Sequence, residues 1–194
     1  MQNTSQFYDL TPQQMLALVR ELLHLQPAMS DCTITRTDGI DLDALLTTHI
    51  DHWYAQLLLT APIEWLPIED VAAQVELVIG DNEVVTATPP SHCVRPVEWQ
   101  LEGWHRSVTT FLKPEEPAAQ RHLNPWTRAG VHAPAAIDMG DRLLLFSAPH
   151  GEETTLVTAR CVVRPTDGNY RFHRAALNTL LISDSLVNSL IKIN

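Results

Sequence analysis

DLDALLTTHIDHWYAQLLLTAP, residues 41–62, decides how the rest of the chain is read. Leu42, Leu45, Leu46, Ile50, Trp53, Tyr54, Leu57 and Leu58 recur at helical spacing, while Asp43, Thr47, Asp51 and Gln56 fall on the opposite face. Asp41 stands where a cap is wanted, and Ala61-Pro62 closes the helix. Beyond Pro62 the pattern changes. Eleven of the 13 prolines lie from Pro62 to Pro165, so this middle cannot be continuous helix: proline removes a backbone donor and clashes with the preceding turn.

Upstream, Thr11-Pro12-Gln13-Gln14 reads as a second helix start. Thr11 caps, Pro12 sits in the first turn and Gln14 completes a capping box. Met15, Leu18, Val19, Leu22 and Leu23 follow at helical spacing, with an expected end near Leu25, before Pro27. Residues 28–40 read as a loop or a short extended piece, with a turn at Asp38-Gly39. Downstream, Val71 to Ile79 is ambiguous between strand and short helix, and Val84-Val85-Thr86 is extended. Cys93 to Trp99 reads as a strand that Pro96 places at an edge or bend. Ala135 to Ile137, Leu143 to Phe146 and Leu156 to Val163 form an expected antiparallel meander, the last strand following a Pro-His-Gly-Glu turn. Tyr170 to Ile193 reads as helix, divided at Ser183-Asp184. The expectation is one α+β domain of 194 residues: a small helical bundle from 1–66 and 167–194, with a long β-rich insertion over about 67–166.

Formal net charge is −10. Residues 1–61 carry seven acids against Arg20 and Arg36, a balance of −5; residues 62–137 carry ten acids and five bases, again −5; residues 138–194 are neutral. An acidic chain repels nucleic acid at long range, which argues against sequence-tolerant DNA or RNA binding. Eleven of the 13 basic residues are arginine, a side chain suited to forked and stacked contacts at interfaces. The polar start from Met1 to Phe7 does not read as a signal peptide, and no apolar run of about 20 residues suggests a membrane span. Cytosolic synthesis is expected.

Signals for chemistry are thin. Cys32, Cys93 and Cys161 are odd in number and far apart; a disulfide stays open, and three small buried side chains in a reducing compartment is the plain reading. His49 and His52 project from neighbouring turns of one helix and could share a metal, yet no glutamate completes a zincin pattern. Ser91 and His92 could be built into a triad with some aspartate, but Gly-x-Ser-x-Gly and a phosphate-cradling glycine loop are both missing. No cofactor, metal or catalytic residue is expected. All five tryptophans lie between Trp53 and Trp126; Trp99, Trp104 and Trp126, in proline-rich polar surroundings, suit either partner anchors or a small core beneath loops.

The order of residues from Pro89 to Ile137 is distinctive. Pro90 and Val94-Arg95 precede Gly103-Trp104-His105-Arg106-Ser107-Val108, then Lys113-Pro114-Glu115-Glu116-Pro117, Gln120, Asn124-Pro125-Trp126, Arg128-Ala129-Gly130 and Ala133-Pro134-Ala135-Ala136-Ile137. This run resembles one in many proteins of crAss-like bacteriophages and related Bacteroides elements, the neck ring or head-to-tail adaptor family. The likeness extends to a helix ending at Ala61-Pro62 and an aromatic-led segment from Tyr170. Two departures stand out: His132-Ala133 replaces a second glycine, and Ser91-His92 replaces an acidic pair. The resemblance implies a non-enzymatic virion protein that docks beneath the portal and joins capsid to tail. It implies self-association into a closed, dodecameric ring matching portal symmetry, contacts with neighbouring neck and tail rings, DNA passing through the channel without sequence-specific binding, and no membrane. Interface residues expected on this basis are Trp99, Trp104, Arg106, Trp126 and Arg128. The alternatives are a small metal-dependent hydrolase using His49 and His52, or an acidic protein-binding module of a bacterial host element.

Overall fold

The computed structural model describes residues 6–23, 41–80, 83–128, 130–148 and 154–182. The chain divides into two compact units: Met1–Pro67 with Arg164–Asn194, and Ile68–Val163. Among the described residues ten strands form three sheets and only four segments are α-helix, so the chain is mostly β. This corrects the expected helical bundle with a β insertion. Both chain ends give residues to a sheet as well as to helices.

In the first unit, β1 (Phe7–Leu10) pairs antiparallel with β10 (Tyr170–His173), Tyr8 opposite Phe172. Between them in sequence come α1 (Pro12–Leu22) and α2 (Leu42–Thr60). Both halves of the capping box form: Gln14 N–H donates to Thr11 Oγ1 at 3.3 Å, and Thr11 N–H donates to Gln14 Oε1 at 2.9 Å. Asp41 caps α2 through the N–H groups of Asp43 and Ala44. The stripe read from the sequence faces inward, with Leu46, Ile50, Trp53, Tyr54, Leu57 and Leu58 all buried. Met15 and Val19 are buried on α1, which packs on α2. Phe172 lies edge-on to Trp53 at 5.2 Å between centroids, and Tyr54 edge-on to Tyr170 at 5.1 Å, so the two-stranded sheet shares the core of the helices.

The expectation of helix from Tyr170 therefore fails at its start. Tyr170 to His173 is strand, a 3₁₀ turn covers Arg174–Ala176, and α4 runs Leu177–Ile182. Alternation puts Tyr170 and Phe172 inward, and Phe7–Leu10 supplies the backbone partner. The expected break at Ser183-Asp184, the loop over 28–40, the end near Leu25 and the Pro-His-Gly-Glu turn lie outside the described residues.

The second unit holds two sheets. One has the order β2–β9–β5, from β2 (Ile68–Asp70), β5 (Cys93–Leu101) and β9 (Leu156–Val163). The other has the order β3–β4–β8–β7–β6, from β3 (Glu76–Ile79), β4 (Val84–Thr88), β6 (Phe111–Leu112), β7 (Ala135–Asp138) and β8 (Leu143–Phe146). A core of Val85, Ala87, Trp99, Leu101, Leu143, Leu145, Ala159, Cys161 and Val163 draws on both sheets. The expected meander is half right. β7 and β8 pair antiparallel, but β9 joins β2 and β5 instead. Pro96 sits on an edge strand next to a register shift, where its missing donor is harmless. β6 runs parallel to β7, and the crossover between them contains α3 (Pro117–Leu123).

Candidate functional site

The crossover from β6 to β7 carries, just past its helix, the most exposed large apolar side chain among the described residues. Pro117 occupies the first turn of α3, and Ala119 is fully buried against Ile137 and Phe146. This seats the helix on the five-stranded sheet. Gln120 Nε2 donates to the Pro114 carbonyl at 2.9 Å, and Lys113 Nζ reaches Asp138 Oδ2 at 2.6 Å, tying the approach to the same sheet.

Past Leu123 the chain turns sharply. Asn124 Oδ1 accepts from Trp126 N–H at 3.0 Å, and the Asn124 carbonyl accepts from Thr127 N–H at 3.1 Å. Thr127 Oγ1 donates to the Arg121 carbonyl at 2.6 Å. Arg128 Nε donates to the His122 carbonyl at 2.9 Å, and its guanidinium lies 5.1 Å over the Phe146 ring. Asparagine, proline and threonine suit this turn because the first offers a local acceptor and the second fixes φ. On this bonded platform Trp126 is 94% exposed, with Leu123 beside it in sequence at 46%. These bonds fix the backbone beneath Trp126, and its solvent-exposed indole offers a partner a large apolar area.

The remaining expected interface residues are placed differently. Trp99 (0% exposed) and Trp104 (4%) are core, and Trp104 Nε1 donates to the Ser147 carbonyl at 2.9 Å. Arg106 is exposed and lines a cleft of about 220 Å³ with Ser107, Thr109, Thr110 and Pro134. Arg128 is half-buried and engaged with the Trp126 turn.

His49 is half-buried and His52 exposed on α2, and among the described residues no group of three or more His, Cys, Asp or Glu is arranged to hold a metal ion. The histidine contact that sequence reasoning missed is His105 with His132, ring centroids 4.2 Å apart, brought together by a backbone bond from His105 N–H to the Val131 carbonyl. No protein family, curated protein or solved structure matches this chain.

Two concavities of the first unit are lined by described residues. One, about 250 Å³, is lined mostly by apolar groups of Trp53, Leu57, Ala61, Pro62 and Trp65. The other, about 170 Å³, is polar, with Asp51, Tyr54, Arg164, Asn169 and Tyr170 at its walls. Its hydroxyls are already engaged. Tyr170 donates to Asp51 at 2.7 Å, and Tyr54 exchanges bonds with the backbone of Arg171. Burial, then the hydrogen bond to the Asp51 carboxylate, pushes the Tyr170 phenol above its usual value. It stays protonated at neutral pH and is a donor there, not a general base. Among the described residues no helix is long and apolar enough to cross a membrane.

Proposed function

We propose that this chain is a structural subunit that assembles into a ring at the neck of a tailed bacteriophage, docking on the portal as a head-to-tail adaptor. The observation that carries the reading is Trp126, 94% exposed on a turn braced through Asn124, Thr127 and Arg128. A monomer gains nothing from holding an indole in water. A subunit that meets a copy of itself does, because a heterologous contact that closes by rotation needs a projecting anchor on one face and a receiving surface on another. The residue order from Pro89 to Ile137 supports the same reading through its resemblance to crAss-like phage adaptors, and the Asn-Pro-Trp element of that run is the braced turn itself. The interface is assigned to Trp126, Leu123, Arg106 and the platform residue Arg128, with Trp99 and Trp104 supporting the lobe from inside.

The test is native mass spectrometry and cryo-EM of the chain with and without the portal protein of the same genome. The expected result is a closed ring on the portal, lost in Trp126→Ser while the circular dichroism of the variant stays that of the parent. A chain that never docks and never associates under either condition overturns the proposal.

A further inference from the structure

The two sheets of the Ile68–Val163 unit end on β2, β5, β3 and β6, and three of these edge strands carry a feature that discourages pairing. β6 is two residues long and runs straight into Lys113-Pro114. β5 holds Pro96 beside register shifts, and β2 is three residues long with Glu69 and Asp70. β3 has no such protection. From Leu77 to Gly80 it bears no charge and no proline, its register against β4 is unbroken, and among the described residues no strand pairs with its other side. Val78 is 63% exposed and Ile79 46%.

The backbone shows what this edge accepts. Gly80 N–H donates to the Val84 carbonyl at 2.8 Å, so alternation makes Val78 with Thr86 and Glu76 with Thr88 the hydrogen-bonded pairs of β3 and β4. The N–H and C=O groups of Leu77 and Ile79 therefore point to the open side. Side chains alternate too. Leu77 and Ile79 share a face with Ala87 and Val85, both fully buried, and Leu77 packs against the core. Val78 shares the outer face with Thr86.

We infer that the open edge of β3 is a self-association surface whose occupant is β3 of a second copy of this chain, antiparallel about a two-fold axis at Val78. In that register Leu77 meets the partner's Ile79, and each such pair exchanges both of its free backbone bonds. The core-facing rows of the two sheets then continue into each other, and Val78 covers the partner's Val78. Charge favours the same register: Glu76 falls opposite the partner's Gly80, away from the partner's Glu76. Moving the axis to Leu77 would set the Glu76 carboxylate against the partner's Val78. The contact is isologous and rests on the edge of β3 alone, whereas ring closure through Trp126 is heterologous. Strands of four residues fall short of a standard interface of about 1,200 Å², so the pair is weak and concentration-dependent.

Covalent trapping is the sensitive test. The full-length chain carries Val78→Cys in a background of Cys32→Ala, Cys93→Ala and Cys161→Ala, with circular dichroism confirming the parent fold. Facing residues of a non-hydrogen-bonded antiparallel pair have Cα atoms about 4.5 Å apart, inside the disulfide range of roughly 4.4–6.8 Å. With oxidised glutathione, Val78→Cys should become a reducible dimer, while Val157→Cys, also exposed but on the central strand β9, should stay monomeric. If the background fails to fold, the same comparison is read in the chain with its native cysteines, as dimer in excess of the parent's. In sedimentation velocity from micromolar to near-millimolar protein, Val78→Lys should raise the dimer dissociation constant about tenfold or more, since it sets like charges opposite each other. Trp126→Ser, which removes the proposed ring anchor, should leave the Val78→Cys link intact. Three results overturn the inference: Val78→Cys linking no better than Val157→Cys, association unchanged by Val78→Lys, or a link that disappears with Trp126→Ser.

Discussion

Trp104 and His122 lie in the same lobe and illustrate opposite fates for a buried nitrogen. Trp104 Nε1 meets the Ser147 carbonyl at 2.9 Å, inside the core and at a residue whose φ of 63° already needs support. Replacing Trp104 by Phe removes the donor and leaves volume behind, so the variant should lose about 1–3 kcal/mol, read as a lower urea midpoint. His122 is the reverse. Its Nδ1 is buried without a partner, and its imidazole is held below the usual histidine value first by burial and then by the positive charges of Arg121 and Arg128. A base with a lowered folded pKa binds fewer protons folded than unfolded, so its contribution is complete above the unfolded value of about 6.5 and is lost as pH falls below it. His122→Leu should therefore stabilise the protein, by more at about pH 5.5 than at about pH 8, and chemical denaturation at the two values checks the sign. A gain independent of pH would mean that the ring's volume, not its protonation, is what matters.

At the scale of elements, α1 tests local coding most cleanly. Its capping box is made by two residues three apart, so Thr11→Ala should cost about 1 kcal/mol with no change in the folded spectrum. That element and α2 were legible because their determinants are local: a cap, a proline in the first turn and a period of 3.6. The β1–β10 pair was not. Phe7-Tyr8-Asp9-Leu10 is too short and mixed to declare a strand, and what makes it one is Tyr170–His173, supplied from the far end of the chain. Without sight of that partner, Tyr170 looked like the start of the helix that α4 later provides. The same holds for β9: nothing local in Leu156–Val163 says whether its neighbours are β8 or β2 and β5. The candidate site was partly readable for a related reason. Trp99, Trp104 and Trp126 look alike as proline-flanked tryptophans, yet Trp99 alternates inward along β5 while Trp126 follows an Asn-Pro turn off α3. Alternation along a strand could have separated them, had the strand's full length to Leu101 been recognised.

At the scale of the whole molecule, Ile68–Val163 is an uninterrupted segment with its own core, entered and left through paired strands. Ile68 on β2 is opposite Val162 on β9, so the chain begins and finishes this unit at adjacent points of one sheet, with Cα atoms about 5 Å apart as in any antiparallel pair. A lobe with neighbouring ends makes few demands on the chain that carries it. Residues 68–163 expressed alone should fold, giving dispersed amide signals and a cooperative thermal transition, because Trp99, Leu101, Leu145, Ala159 and Cys161 find their neighbours inside the segment. The reciprocal deletion, with Pro67 joined to Arg164 through a short Gly-Ser linker, should keep the packing of Trp53 against Phe172 and of Tyr54 against Tyr170, since both contacts lie within the other unit. The near-ultraviolet signal of those rings reports on it directly. If the lobe folds and the deletion does not, the helical unit depends on the lobe for more than a loop closed at neighbouring points, because closing so short a gap carries only a small entropic penalty.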